Sequence, residues 1–66
     1  MSIVVNGTRV DCEQGATLAL LLRQLGLPAN AVLVEHNQAA VPRAAFAEVP
    51  LTENDVIEVV QMAAGG

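Results

Sequence analysis

The stretch SIVVNGTRVDC, residues 2–12, sets Asn6-Gly7 between two runs rich in β-branched residues. That pattern is the strongest short-range signature of a tight β-hairpin, so the first two strands are antiparallel neighbours. Side chains alternate along a strand, which puts Ile3 and Val5 on one face of the first strand and Val10 and Cys12 on one face of the second, with Arg9 and Asp11 turned away. Cys12 is thereby assigned to the core. A nucleophilic role would need a nearby base and an activating environment, and no Cys-His arrangement is written around it, so the reading is a small buried hydrophobe.

Downstream of the hairpin, GATLALLLRQLGLP carries Leu18, Leu21, Leu22 and Leu25 at helical spacing behind Thr17, a residue suited to cap a helix. Gly26 is placed for the left-handed conformation past the helix end, with Leu27 packing back and Pro28 unable to continue the helix. Leu20 falls off the main apolar face and reads as a surface leucine. AVLVEHN then reads as a strand with Val32, Val34 and His36 on one side and Leu33 and Glu35 on the other. With no Ser, Cys or paired carboxylate close in sequence, His36 reads as a strand-end residue at a wet edge rather than a catalytic base. In QAAVPRAAF, Pro42 cannot donate to a sheet ladder and marks an edge or turn. Asn54 suits a left-handed turn position, and residues 56–62 have the β-branched density of a strand at the heart of a sheet.

The order is therefore hairpin, helix, strand, short strand, turn and long strand, a β-β-α-β-β arrangement when the short strand is left uncounted, with VIEVVQM last. It predicts an α+β domain over residues 1–62 with one main helix on one face of a mixed sheet. In the last strand Ile57 and Val59 face the helix, which turns Val56, Glu58, Val60 and Met62 to the other side together with Leu33. The apolar patch of Leu33, Val60 and Met62, rimmed by Glu35 and Glu58, is read either as a docking face or as ordinary scattered surface aliphatics.

Composition narrows the function classes. A chain of 66 residues is one domain with a small core. One cysteine and one histidine, with nothing at metal-ligand spacing, supply neither a disulfide nor a structural metal. Aliphatic packing must compensate: 53% of residues are hydrophobic and Phe46 is the single aromatic. Acidic residues outnumber basic ones 7 to 3, there is no lysine, and Arg9, Arg23 and Arg43 are scattered, which argues against a nucleic-acid partner. No apolar run approaches the roughly 20 residues of a bilayer span, and the N-terminus lacks the regions of a signal peptide. The expected location is the cytoplasm, and a solitary cysteine fits a reducing compartment.

The last four residues, Ala63, Ala64, Gly65 and Gly66, carry almost no side-chain volume and reach roughly 13 Å when extended. Glycine lets a backbone enter a channel too narrow for a Cβ, leaving the terminal carboxylate as the one reactive group. An ionised carboxylate acylates poorly, but AMP transferred to it from ATP by a partner enzyme gives a mixed anhydride open to attack by a thiol, persulfide or amine. Such a carrier needs no catalytic side chains, in keeping with the absence of a glycine-rich phosphate loop, a metal cluster or a triad from the sequence. The plainer reading of residues 63–66 is a frayed end. Ordering them inside another protein costs on the order of 1–2 kcal/mol per residue, so a tail of this kind needs a neighbouring docking surface.

From end to end the chain resembles the ThiS family of sulfur carriers, which have the ubiquitin-like β-grasp fold. The resemblance is carried by Asn6-Gly7, by GATLALLLRQLGL, by NQAAVPRAAF at residues 37–46, with Val41-Pro42-Arg43 its most distinctive part, and by Gly65-Gly66. Family members often have tryptophan at the place of Phe46 and Gly-Asp where this chain has Asn54-Asp55. The resemblance implies a cycle in which a ThiF-like enzyme adenylates Gly66 at the expense of ATP, a sulfur donor converts it to a thiocarboxylate, and a ThiG-like thiazole synthase takes the sulfur for thiamin. The chain itself would be no enzyme and bind no cofactor or metal. Gly66 would be the reacting residue, Gly65, Ala64 and Ala63 would give access, and Met62, Val60, Leu33 and Glu58 would dock the partner. Arg43 could help position one. A molybdopterin-synthase small subunit and a ubiquitin-like modifier share the fold and the Gly-Gly end, and an interaction module with an inert tail is the alternative from another class.

Overall fold

The computed structural model describes residues 1–62. Strands β1 (Ser2–Val5) and β2 (Thr8–Asp11) form the expected hairpin, with Val5 opposite Thr8 and Ile3 opposite Val10. Asn6 and Gly7 both have positive φ, 49° and 83°. These are the angles of the type I′ turn, whose twist matches that of the strands it joins.

Helix α1 (Leu18–Gln24) is bounded by local chemistry at both ends. At its N-terminus the Thr17 hydroxyl accepts from Leu20 N, and Leu18 N and Ala19 N donate to the carbonyls of Val49 and Phe46. The helix's free amides are thus taken up by its cap and by the 46–49 segment. At the other end Gly26 has φ 72°, Gly26 N donates to Arg23 O, and Leu27 N reaches back to Leu22 O. This is the Schellman pattern, and it explains why the helix is only two turns long.

After a 3₁₀ turn (Ala29–Ala31) come β3 (Val32–His36) and β4 (Ala39–Val41), then a second 3₁₀ turn (Arg43–Ala45) and β5 (Val56–Gln61). Asn37 and Gln38, both at positive φ, form a second two-residue hairpin turn, with His36 opposite Ala39. The short segment before Pro42 therefore pairs as a strand of its own, and the sheet has five strands in the order β2-β1-β5-β3-β4. β1 and β5 are parallel and the other neighbours antiparallel, so the sheet is mixed, with β5 at its centre and β2 and β4 at its edges. Pro42 directly follows edge strand β4, where its missing N–H disturbs no central ladder.

The core lies between α1 and one sheet face. Ile3, Leu18, Leu21, Leu22 and Ile57 are fully buried, and Phe46 and Leu51 close the side beneath the helix N-terminus. Cys12 is buried among them, and burial pushes its thiol pKa up, which keeps it protonated and unreactive. Leu20 differs from expectation: it is half-buried and packs on the margin of the core, as does Leu25.

Candidate functional site

Strict alternation along β3 and β5 leaves one sheet face without a helix. Val32, Val34, Ile57 and Val59 are buried beneath α1, whereas Leu33, Glu35, Val56, Glu58 and Val60 point the other way and are exposed. Register then pairs the exposed residues by kind: Leu33 lies opposite Val60, and Glu35 lies opposite Glu58. Ala40 on β4 extends the second row, being opposite Glu35. A shallow groove of about 450 Å³ runs across these strands, lined by Leu33, Glu35, Ala40, Val41, Glu58 and Val60. Leu33 is 61% exposed, Val60 59% and Met62 47%. Large aliphatic side chains this open, adjacent on one face, form a contiguous apolar surface rather than isolated surface residues.

Met62 is the last described residue on this side of the sheet. Its N–H donates to Ala31 O at 2.8 Å, and Gln61 still pairs with Val32, so the backbone is held up to the point at which residues 63–66 begin. Ala63, Ala64, Gly65 and Gly66 lie outside the described residues. Of the proposed docking residues, Leu33, Glu58, Val60 and Met62 are all exposed, three on the groove and Met62 at its tail end. Arg43 is an exposed residue of the second 3₁₀ turn.

One polar constellation is not written locally in the sequence. The Asp55 carboxylate, nearly buried, accepts from Thr52 N and Thr52 Oγ1, both at 2.9 Å, and from Asn37 Nδ2 at 3.1 Å, and lies 2.7 Å from His36 Nε2. Burial by itself would raise its pKa, but the four hydrogen bonds outweigh that and hold the carboxyl well below the usual carboxylate range. His36 thus has a carboxylate partner after all, 19 residues away in sequence. The pair joins the β3 end to the turn before β5 and contains no nucleophile. Every buried side-chain nitrogen and oxygen among the described residues has a partner, and no group of His, Cys, Asp and Glu there is arranged to hold a metal ion. No helix among the described residues is long and apolar enough to cross a membrane.

Among the described residues, then, there is an exposed apolar face beside two glutamates and a backbone held as far as Met62, and no catalytic group is assembled. Comparison with known proteins gives this arrangement its context. The family model described as "ThiS family" matches residues 3–66. A solved structure titled as the thiamine biosynthesis protein (ThiS) of Geobacter metallireducens superposes with a TM-score of 0.83 at 30% identity, covering 100% of both chains. Thiazole synthases of Magnetococcus marinus and Paramagnetospirillum magneticum match all 66 residues at 44% and 33% identity. The chain spans about a fifth of their length, 20% in each case. The β-grasp fold, the family-model match over residues 3–66 and the solved relative agree: the chain belongs to the ThiS family.

Proposed function

We propose that the chain carries sulfur as a thiocarboxylate on Gly66 and delivers it to a thiazole synthase. In the first step the Gly66 carboxylate attacks the α-phosphorus of ATP within a ThiF-like adenylating enzyme, releasing pyrophosphate and leaving an acyl adenylate. A persulfide sulfur then attacks the carbonyl carbon and displaces AMP, giving an acyl disulfide. A second thiol attacks the donor's own sulfur in that acyl disulfide, forms a new disulfide with the donor, and leaves the transferred sulfur on Gly66 as the thiocarboxylate. Apart from the Gly66 carboxylate itself, every reacting group comes from partners and ATP, so this chain acts as a protein cosubstrate. What it supplies is a narrow acyl tail and a surface that holds the tail in place.

The observation that carries this reading is the junction at Met62. β5 ends at Gln61, one residue past the exposed Val60, and Met62, bonded to Ala31, connects it to residues 63–66, four residues with a reach of at most roughly 13 Å. A partner seated on the Leu33 and Val60 surface therefore has its reactive centre within a fixed distance of Gly66, and docking offsets the entropy lost on threading the tail. The relatives named thiazole synthase, which contain a region matching the whole of this chain, favour a thiazole-forming acceptor over a molybdopterin-forming one.

The test is incubation of the purified protein with ATP, a ThiF-like enzyme and a persulfide source, followed by intact-mass measurement and fragmentation. Replacement of one oxygen by sulfur at Gly66 is expected. An unmodified chain, alongside an activating enzyme shown to work on another carrier, would overturn the proposal.

A further inference from the structure

The apolar face carries a feature that its hydrophobicity does not explain. Glu35 and Glu58 are direct cross-strand partners on the exposed side, where facing like charges weaken strand pairing. Among the described residues neither carboxylate is in a salt bridge; the one ion pair there is His36 with Asp55. The nearest help in register is distant. Arg9 shares this face through its pairing with Val4, and Val4 pairs with Val56, which leaves Arg9 two strand spacings from β5, roughly 10 Å. Its guanidinium is already engaged by Ser2 Oγ and Asn54 Oδ1. The two glutamates thus stand uncompensated beside the Leu33–Val60 pair, in a chain of net charge −4.

We propose that this pair is completed in the docked complex. The occupant of the groove is a partner-enzyme surface that sets an apolar side chain over Leu33 and Val60 and an arginine or lysine between Glu35 and Glu58. Charge complementarity identifies this occupant and disfavours the obvious competitor. A second copy of the chain would bring its own two carboxylates against these two, whereas a cationic ridge relieves a repulsion built into the free protein. The apolar row supplies contact area and the acidic row supplies selectivity. This inference deepens the docking role proposed above and rests on it.

The two roles of the glutamates predict effects of opposite sign, and that is the basis of the test. Binding of the full chain to the thiazole synthase of the same organism is measured by calorimetry at about 50 mM and about 500 mM salt, a range over which the screening length shrinks severalfold. Wild type is expected to lose about tenfold in affinity across that range. E35Q/E58Q is expected to bind about tenfold more weakly than wild type at low salt, with little further loss at high salt, while its thermal midpoint stays level or rises. E35K/E58K is expected to lose binding. If E35Q/E58Q binds as wild type does with the same salt dependence while L33D/V60D abolishes binding, the docking face stands and the cation-bridging proposal is overturned. Intact binding by L33D/V60D, or no binding by wild type, overturns both. A wild-type dimer in sedimentation that L33D/V60D dissociates makes a second copy the occupant and also overturns the proposal. Thiocarboxylate formation on Gly66, read separately by mass, reports the carrier chemistry independently of all these outcomes.

Discussion

Asn6 completes the backbone pairing of Val59: its Oδ1 accepts from Val59 N at 2.8 Å and its Nδ2 donates to Val59 O at 3.1 Å. The parallel β1 ladder ends at Val5 opposite Ile57, so the hairpin turn residue takes the place of the next strand residue with its side chain. The link spans 53 residues and ties the turn to the strand that leads to the tail. Asn6→Ala removes both bonds and puts a Cβ-bearing residue without local hydrogen bonds at φ 49°. The expected loss is about 2–4 kcal/mol in urea unfolding, combining two hydrogen bonds with the left-handed conformation. Asn6→Gly removes the bonds alone and is expected to cost less, and the difference between the two variants isolates the backbone contribution.

Asp55 makes stability depend on acid. Its carboxyl is held below the ordinary value in the folded state, so the unfolded chain takes up this proton first as pH falls. Its contribution is therefore complete above the unfolded carboxyl value of about 3.9 and is lost as pH drops through the folded value. Asp55→Asn cannot titrate and cannot accept all four bonds. It is expected to cost about 2 kcal/mol at neutral pH and to flatten the stability-pH curve between roughly pH 4 and 2. A curve as steep as wild type's would move the acid sensitivity to other carboxylates.

Gly26 offers a substitution free of steric conflict. A Cβ there would meet no atom within 4 Å, yet φ is 72°. Gly26→Ala should thus report only the conformational cost of the left-handed helix end, about 1 kcal/mol. With roughly 4–8 °C per kcal/mol for a domain this small, the thermal midpoint should fall by about that much. A loss several times larger would show that the Schellman bonds from Gly26 and Leu27 also break.

What could be read from sequence follows the range of the interactions. The Asn6-Gly7 hairpin, the Thr17 cap and the Gly26 stop each depend on residues within a few positions, and the alternation of β3 and β5 was enough to divide Val34 and Val59 from Leu33 and Val60. The second hairpin turn was less visible because Gln38, at φ 73°, is an unusual residue for that conformation. Contacts that the topology creates left no local trace. These include the parallel pairing of β1 with β5, the Asn6 bridge to Val59 and the approach of His36 to Asp55. Leu20 reads as a surface residue because helical periodicity describes one face, whereas this helix also meets the core at its margin. The uncompensated Glu35–Glu58 pair needed the register, which no single strand reveals.

Docking and chemistry are expected to separate at Met62. The core members run from Ile3 to Val59, and Met62 is held by Ala31, so deleting Gly65 and Gly66 removes no described packing contact. The change in stability should stay within about 0.5 kcal/mol, as for surface positions in general. Binding to the thiazole synthase should persist through Leu33 and Val60, weakened only by the tail's own contacts, while thiocarboxylate formation is lost because the new terminal carboxylate, on Ala64, falls two residues short of the position Gly66 reaches. Appending one residue after Gly66 should also leave fold and docking in place but move the carboxylate roughly 3.3 Å beyond its station, and sulfur loading should collapse. Loading of the extended chain at the wild-type rate would place the acyl chemistry elsewhere, and loss of binding on deletion would make the tail, rather than the sheet face, the principal anchor.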